Sequence, residues 1–281
     1  MFNMTLRETY NLSVARLVPL YGEHEAKAVV GRLLEDKYGI GKLERITVGS
    51  RPFPHETEWN ADLERLEAWE PVQYVTGYEQ FCGRIFRLSR DTLIPRGETE
   101  QLVRTILDGS PRKRILDIGT GSGAIAVTLA AEWKEARVEA WDISPGALAT
   151  AAANARRNGV GERIRFAERD VLSYEPETDT EAFDLVVSNP PYVLESERAR
   201  MRANVTDYEP EGALYVPDDD PLLFYRAIAR LPLLGRGGEL WFEINERFGT
   251  ETEELLLSSG YRDVRIMKDI HGRERIVRGV R

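Results

Sequence analysis

One segment of the chain reads Ile115-Leu116-Asp117-Ile118-Gly119-Thr120-Gly121-Ser122-Gly123-Ala124. Its apolar first half predicts a buried strand, and its alternating glycines predict a tight turn that leads into a helix. Glycines in such a turn let the backbone approach a bound ligand closely and let the helix pack against the strand. We therefore predict that a cofactor is bound by Gly119, Thr120, Gly121, Ser122 and Gly123.

A second position indicates a nucleotide-like cofactor. Asp142 follows the glycines by about 20 residues and closes the next apolar run, where an acidic side chain accepts hydrogen bonds from ribose hydroxyls. This spacing alone fits either NAD or S-adenosylmethionine. Asp117 beside the turn disfavours a pyrophosphate and suits the ammonium group of S-adenosylmethionine, because a carboxylate repels the first and attracts the second.

A third candidate position follows another predicted strand, in the tripeptide Arg169-Asp170-Val171. We expect Asp170 and Val171 to bind the adenine end of the cofactor, with the Asp170 carboxylate accepting a hydrogen bond from the adenine amino group. A cap of the local turn is an equally good interpretation of Asp170, since aspartate side chains commonly bond the backbone two residues on.

The second part of the chain alternates between extended and helical patterns. This alternation, which begins at Glu98, is typical of a parallel α/β sheet with helices on both faces. The last two strands are joined by a segment too short for a crossover helix, so we expect them to pair antiparallel. The predicted strands are residues 114–118, 137–142, 164–167, 183–188, 238–244, 261–267 and 274–280, and the predicted helices are 124–133, 145–157 and 222–229.

The first eighty or so residues have a different pattern. Apolar side chains at helical spacing begin at Leu6, with Thr5 and Glu8 as a capping pair, and further helices are predicted over residues 23–36 and 59–69. Residues 81–94 alternate weakly and predict a hairpin. We therefore predict a helical domain over residues 1–80, a hairpin linker over 81–97 and a cofactor-binding domain over 98–281.

The composition limits the classes of partner. The formal net charge is −9, and both residues 1–92 and residues 93–281 are net acidic, which argues against direct binding of nucleic acid. No apolar run approaches the roughly 20 residues of a membrane span, and no signal pattern precedes the first helix. Cys82 is the only cysteine. We expect a cytoplasmic monomer that has no membrane partner and no metal.

The turn after the strand at 183–188 reads Asn189-Pro190-Pro191-Tyr192. Two consecutive prolines stiffen the backbone and hold the residue before them extended. A planar NH2 group has two donors, and Oδ1 of Asn189 together with the carbonyl of Pro190 would supply two acceptors. Tyr192 adds a flat face for stacking. The turn therefore predicts a site for an amino group on an sp2 carbon, although a plain surface turn is an alternative.

These features together resemble the class I methyltransferases, whose fold is a Rossmann-like, seven-stranded, mostly parallel sheet with an antiparallel last strand. The chain most closely resembles the peptide chain release factor glutamine methyltransferases. The segment at residues 71–77 resembles the part of that family before the hairpin. Residues 93–100 resemble its Ile-Pro-Arg-Pro-Glu/Asp-Thr-Glu signature, with Gly97 in place of the second proline. Glu209-Pro210 and Ala213-Leu214 resemble its segment after the catalytic turn.

The resemblance implies methyl transfer from S-adenosylmethionine to the side-chain amide nitrogen of the glutamine in the Gly-Gly-Gln loop of bacterial-type release factors. It also implies that the helical domain helps to hold the release factor. An alternative is an amino methyltransferase that acts on adenine N6 or guanine N2 of nucleic acid, because such enzymes share the Asn-Pro-Pro-aromatic turn. A non-catalytic nucleotide-sensing domain is a further alternative, disfavoured by the intact motifs.

The expected roles follow from this chemistry. Asn189, Pro190 and Tyr192 are the predicted catalytic residues, and Pro191 joins them in binding the substrate. Asn189 is also expected to border the cofactor. Arg96 and Glu98 have two interpretations: an ion-paired turn between domains, slightly favoured, or a cover for the cofactor or the glutamine channel. His24, His55 and His271 lie outside the motifs and are predicted to be surface or structural residues.

Overall fold

The computed structural model describes residues 4–176 and 182–281, which form two compact units. One unit contains Met1–Gly77 together with Arg202–Tyr208, and the other contains Tyr78–Met201 together with Glu209–Arg281. The smaller unit thus includes a short segment that lies far along the chain. The predicted division into a helical domain at residues 1–80, a linker at 81–97 and a cofactor-binding domain at 98–281 stays a prediction.

The smaller unit is a helical bundle. Thr5 caps its first helix as predicted, since Oγ1 of Thr5 accepts from the backbone of Glu8 while the Glu8 carboxylate accepts from the backbone of Thr5. Leu17, Leu33, Leu66 and Trp59 are almost fully buried at its centre. The helices are α1 Leu6–Tyr21, α2 Glu23–Tyr38, α3 Lys42–Thr47, α4 Glu56–Glu67 and α5 Val72–Thr76.

Two details of this bundle differ from the sequence-based expectation. The helix predicted over residues 59–69 spans Glu56–Glu67, because Trp69 has a φ of 68° and cannot continue a right-handed helix. The short helices α3 and α5 were not predicted, since five or six residues carry too little periodicity to be recognised.

The larger unit begins with a two-stranded hairpin, β1 Tyr78–Phe81 and β2 Arg84–Arg87. Its turn is formed by Cys82 and Gly83, both with positive φ, as tight two-residue hairpin turns require. The prediction over residues 81–94 was therefore right about a hairpin, but the hairpin lies a few residues earlier, over residues 78–87.

A seven-stranded sheet forms the centre of the larger unit. Its strand order is β10-β11-β9-β6-β3-β4-β5, and a separate two-stranded sheet pairs β7 with β8. The other elements of the larger unit, in chain order, are α6 Gly97–Leu107, β3 Arg114–Ile118, α7 Ala124–Glu132, β4 Arg137–Asp142, α8 Pro145–Arg157, β5 Ile164–Glu168, β6 Phe183–Ser188, β7 Val193–Leu194, β8 Tyr215–Val216, α10 Leu223–Arg230, β9 Leu234–Glu243, α11 Gly249–Ser258, β10 Arg262–Lys268 and β11 Glu274–Val280. The short helix between β7 and β8, α9 Ala203–Thr206, belongs to the smaller unit.

The directions of the strands confirm the predicted fold class. Strand β3 pairs parallel with β4 and β6, and the parallel pairing continues to β5 on one side and β9 on the other. The last strand, β11, is antiparallel to both β9 and β10. Separate clusters of buried apolar residues cover the two faces of the sheet, as expected for an α/β fold.

Strand β9 is longer than predicted. It starts at Leu234 instead of residue 238, since Leu234 pairs with Phe183 before a register shift carries the ladder to Leu185 and Glu239. Gly235, which lies in this irregular stretch, belongs to a glycine-rich run that favours a turn when only the local sequence is considered. Tertiary pairing overrides that preference.

The topology brings three strand ends together. Strands β4, β3 and β6 are neighbours that run in the same direction, so Asp142, Ile118 and Ser188 end at one edge of the sheet. Strand order reverses around β3, and ligands bind parallel α/β sheets at such a switch point. Within the described ranges, no helix has the length and apolar character required of a membrane span.

Candidate active site

A cavity of about 420 Å³ opens at this edge of the sheet, and we refer to it as the central cavity. It lies within the larger unit and brings together the glycine turn, the end of β4 and the turn after β6. Most of the predicted site residues line it: Gly119, Thr120, Gly121, Ser122, Asp142, Asp170, Val171, Asn189, Pro190 and Pro191. Gly123 and Tyr192 are not among its lining residues.

The glycine turn is held against the neighbouring strand. The backbone N–H groups of Gly119 and Thr120 both donate to the carbonyl oxygen of Trp141, at 2.9 and 2.8 Å. A Cβ on Gly123 would lie 3.0 Å from Cβ of Ala151, and its φ of 81° is unfavourable for other residues. Gly123 therefore serves the close packing of α7 on α8, while the other residues of the turn face the cavity.

Asp142 joins the glycine turn to the next helix. Its Oδ2 accepts from the backbone N–H of Gly121 at 2.8 Å, and its Oδ1 accepts from that of Ser144 at 2.9 Å. Burial raises the pKa of Asp142, although these two hydrogen bonds oppose the effect. Each carboxylate oxygen can accept further hydrogen bonds, so the side chain suits a ligand that carries neighbouring hydroxyl groups.

Asp117 lies behind the glycine turn instead of lining the cavity. It is fully buried, and its Oδ2 accepts from Oγ1 of Thr120 at 2.7 Å and from the backbone N–H of Ala126 at 3.1 Å. Its Oδ1 is buried without a hydrogen-bond partner among the described residues. Burial raises the pKa of Asp117 to about 7. An uncompensated acceptor at this place favours a positively charged group nearby.

Asp170 caps the local turn and also lines the central cavity, so both interpretations of this residue, a turn cap and an adenine-binding side chain, stay open. Its Oδ1 accepts from the backbone N–H of Leu172 at 2.9 Å, and its Oδ2 accepts from the hydroxyl of Ser173 at 3.0 Å. The side chain therefore caps the turn after β5. Asp170 and Val171 also line the central cavity, so the capped turn forms one of its walls.

The turn after β6 lies next to the glycine turn. Oγ of Ser188 donates to the carbonyl of Ile118 at 2.7 Å, which ties the end of β6 to the end of β3. A Cβ on Gly119 would be 4.0 Å from the carbonyl oxygen of Asn189. The sheet therefore places the predicted amino-group site directly beside the predicted cofactor site.

The side chain of Asn189 belongs to a hydrogen-bonded chain that the sequence did not reveal. Its Nδ2 donates to Oγ1 of Thr99 at 3.0 Å, and the Thr99 hydroxyl donates to Oε2 of Glu243 at 2.6 Å. The hydroxyl of Tyr192 donates to Oε1 of Glu243 at 2.9 Å. Burial raises the pKa of Glu243 and, together with the Glu243 charge, that of Tyr192.

The position of Glu243 follows from strand register. Ser188 on β6 is paired with Phe242 on β9, so the next residues, Asn189 and Glu243, lie side by side at the ends of these two strands. A carboxylate at the end of a buried apolar strand needs a partner inside the protein. The position of Glu243 was therefore a signal that the sequence analysis missed. Thr99 lies within the signature at residues 93–100, but nothing in that segment indicated its bond to Glu243.

The segment that precedes α6 is held by Glu209. Oε1 of Glu209 forms an ion pair with Arg96 at 2.5 Å, and its Oε2 accepts from the backbone N–H of Ile94 at 3.1 Å. Glu209 is buried, so this contact anchors the Leu-Ile-Pro-Arg stretch firmly. The cavity wall formed here includes residues that were not predicted individually: Leu93, Pro95, Pro210, Gly212 and Ala213.

Comparisons with known proteins identify the family. A family described as "Methyltransferase small domain" matches residues 97–207. A release factor glutamine methyltransferase of Bacteroides thetaiotaomicron is 44% identical to the chain, covering 93% of the chain and 95% of the relative. The chain belongs to the release factor glutamine methyltransferase family. A second member, from Flavobacterium psychrophilum, is 43% identical and covers 94% of the chain and 95% of its own length.

Membership in this family confirms the resemblance carried by the sequence motifs, and the chain is a methyltransferase. The reaction requires a methyl donor. Among solved structures, a methyltransferase of Pyrococcus furiosus matches with a TM-score of 0.52 at 16% identity, covering 79% of the chain and 96% of that structure. Identity at this level supports the shared fold alone, and it agrees with the strand order described above.

Proposed function

We propose that the enzyme transfers a methyl group from S-adenosyl-L-methionine to the side-chain amide nitrogen of the glutamine in the Gly-Gly-Gln motif of bacterial-type peptide chain release factors. The observation that carries this proposal is that Asn189 and Pro190 line the same cavity as the glycine turn and Asp142. Relatives that match nearly the whole chain are named for release factor glutamine methylation.

The donor set fits S-adenosylmethionine. Asp142 would accept from the ribose hydroxyls, and Asp170 and Val171 would border the adenine. A carboxyl group behind the glycine turn disfavours a pyrophosphate on the cavity side of that turn and agrees with the ammonium of the methionine moiety. When bound, the donor supplies a methyl group on a positively charged sulfur.

The amide of the substrate would be held by two acceptors. Oδ1 of Asn189 and the carbonyl of Pro190 would each accept one N–H of the glutamine NH2 group, with Pro191 shaping the stiff turn. An amide nitrogen is a weak nucleophile, so the main task of the site is to align it with the methyl group. Acceptors on both hydrogens also stabilise the positive charge that develops on this nitrogen.

We propose that Tyr192 supports the catalytic turn in addition to any contact with the substrate. The stacking face predicted for Tyr192 stays a prediction, and Tyr192 is not among the residues that line the central cavity. Its hydroxyl bonds Glu243, and its ring packs against the buried cluster on that face of the sheet. These two contacts hold the Asn189-Pro190-Pro191-Tyr192 turn in place on the side away from the central cavity.

No strong general base is needed for this reaction. The nitrogen loses a proton after methyl transfer, when the positive charge has made it acidic, and water can accept that proton. The described residues contain no group of three or more His, Cys, Asp or Glu side chains arranged to hold a metal ion. The residues that line the site contribute alignment and hydrogen bonding.

The rival substrate class is nucleic acid, whose exocyclic amino groups would fit the same pair of acceptors. The net charge of −9 disfavours it, since duplex binding depends on neutralising phosphates. The match to glutamine methyltransferases covers nearly the whole chain, including the helical unit, and it favours the release factor as substrate. We propose that the helical unit helps to hold the release factor. With such a substrate, we place the enzyme in the cytoplasm, and we propose that it acts as a monomer.

One assay separates these substrates. The enzyme is incubated with methyl-labelled S-adenosylmethionine and, in parallel, with a release factor, duplex DNA or RNA. We expect label in the release factor and none in a release factor whose loop glutamine is replaced. Label in nucleic acid, or in no acceptor, would refute the proposed substrate.

A further inference from the structure

A chain of hydrogen bonds runs from the side-chain amide of Asn189, at the wall of the central cavity, through Thr99 into the protein interior. Nδ2 of Asn189 donates to Thr99, and the hydroxyl of Thr99 donates to Glu243. Thr99 is 5% exposed and lines the cavity beside Asn189, whereas Glu243 is fully buried. Both residues come from elements far from Asn189 in sequence, the first turn of α6 and the end of β9.

The order of donors and acceptors in this chain is fixed by the chemistry of its members. An ionised carboxylate only accepts, so the single hydroxyl proton of Thr99 goes to Glu243 and its oxygen offers only lone pairs to Asn189. Nδ2 can bond to those lone pairs, whereas Oδ1 in the same place would repel them. Oδ1 is therefore left for another partner.

An asparagine amide has two nearly isosteric placements related by a half-turn, and its surroundings must select one of them. With Oδ1 towards the substrate, Asn189 accepts from an amide N–H. With Nδ2 there, two donors would face each other. We infer that Thr99 and Glu243 are positioning residues that select the placement of Asn189 in which Oδ1 faces the substrate amide. This inference rests on the proposed function, which supplies the NH2 group.

Several neighbouring groups act on the pKa of Glu243, some raising it and some lowering it. Burial and the neighbouring Glu98 raise the pKa of Glu243, while hydrogen bonds from Thr99 and Tyr192 and the charge of Arg275 lower it. The two hydroxyl donors occupy both carboxylate oxygens, which is the arrangement that an ionised carboxylate prefers.

The test uses substitutions that change hydrogen bonding with little change in volume. Thr99→Val removes both the acceptor for Asn189 and the donor to Glu243, while Thr99→Ser keeps them. Glu243→Gln introduces a donor that can bond the Thr99 oxygen, which frees the Thr99 proton to attract Oδ1 of Asn189. Methyl transfer to the release factor is measured at saturating S-adenosylmethionine and divided by the number of cofactor-binding sites, so unfolded protein does not count as lost activity.

We expect Thr99→Val and Glu243→Gln to lower kcat by about 10- to 100-fold. Thr99→Ser should stay within about 3-fold of wild type, and cofactor affinity should change little in all three. If Thr99→Val does not bind the cofactor, Glu243→Gln carries the same test. Wild-type turnover serves as the reference: if the wild type does not methylate the release factor, the proposed function fails, whereas unimpaired variants beside an active wild type refute only this inference.

A double variant distinguishes positioning from general support of the fold. Because Thr99 acts through Asn189, Thr99→Val combined with Asn189→Ala should be no slower than Asn189→Ala alone. A further loss in the double variant equal to that of the single Thr99→Val would show that Thr99 acts independently, and would overturn the inference.

Discussion

The backbone N–H of Gly121 donates a hydrogen bond to Oδ2 of Asp142 at 2.8 Å. The glycine turn and the acidic residue at the end of the next strand therefore form one structure. Asp142 shapes the turn and also faces the central cavity. Its removal should affect the cofactor more than the chemistry of the amide.

The first prediction concerns Asp142→Ala. The substitution removes the acceptor for Gly121 and the proposed acceptor for the ribose, so affinity for S-adenosylmethionine should fall by about 10- to 100-fold, while kcat at saturating cofactor changes less. Calorimetric titration measures the affinity. Glu168→Ala, at the exposed partner position on β5, is the control and should bind as wild type does. Equal affinity for both variants would contradict the role of Asp142.

A second prediction uses the buried carboxyl of Asp117, whose pKa is raised to about 7 by burial, with repulsion from Asp142 as a smaller contribution. In the unfolded chain its pKa returns to about 4. The folded protein holds this proton more tightly, so the free energy of unfolding should fall as pH rises from about 4 to 7.

Urea unfolding of the cofactor-free protein across this pH range measures the effect. Asp142 and Glu243 also have raised pKa values and contribute with the same sign, so the difference between wild type and Asp117→Asn isolates Asp117. The fall should be smaller in the variant. Parallel curves for the two proteins would show that Asp117 does not titrate in this range.

A third prediction addresses Gly123. A Cβ here would meet Ala151 at 3.0 Å and would sit on a backbone with positive φ, so Gly123→Ala should lower the free energy of unfolding by about 2–4 kcal/mol. Gly159→Ala is the matched control, because Gly159 has a φ of 72° and open space around it, and should lose about 1–2 kcal/mol.

The contact itself can be tested with a second substitution. Ala151→Gly removes the group that a Cβ on Gly123 would strike, so the double variant should be more stable than the sum of the two single changes implies. Strict additivity would mean that the cost of Gly123→Ala comes only from the backbone.

A fourth prediction separates the two halves of the site. Asn189→Ala should lower kcat by about 100- to 1,000-fold, a loss similar to that from removing one preorganised hydrogen-bond partner of a transition state. Affinity for S-adenosylmethionine should stay within about 3-fold of wild type. Equal losses of turnover and cofactor affinity would place Asn189 in the cofactor site instead.

The positions of the site residues at the ends of strands could be predicted from the sequence. Asp142 and Asn189 each come directly after a strong apolar run, and parallel strands bring their carboxyl ends to one edge, so their proximity could be predicted. The strands at Arg114–Ile118 and Phe183–Ser188 have the predicted bounds, since continuous buried runs leave little ambiguity.

Contacts between distant elements could not be predicted in this way. The bond between Thr99 and Glu243 spans 144 positions of sequence and depends on the docking of α6 and on the register of β9. Glycines near Gly235 favour a turn locally, but Leu234 and Glu239 on either side of them pair with β6 across a register shift. The hydroxyl of Tyr192 points to Glu243, a partner that no property of the catalytic turn indicated.

The central claim is that the methyl group is added to a glutamine amide nitrogen, and fragmentation mass spectrometry of the treated release factor tests it most directly. The account predicts one added methyl group on the side-chain nitrogen of the Gly-Gly-Gln glutamine after incubation with wild-type enzyme and S-adenosylmethionine, and almost none with Asn189→Ala. A methyl group on another residue, or equal methylation by the two enzymes, would contradict it.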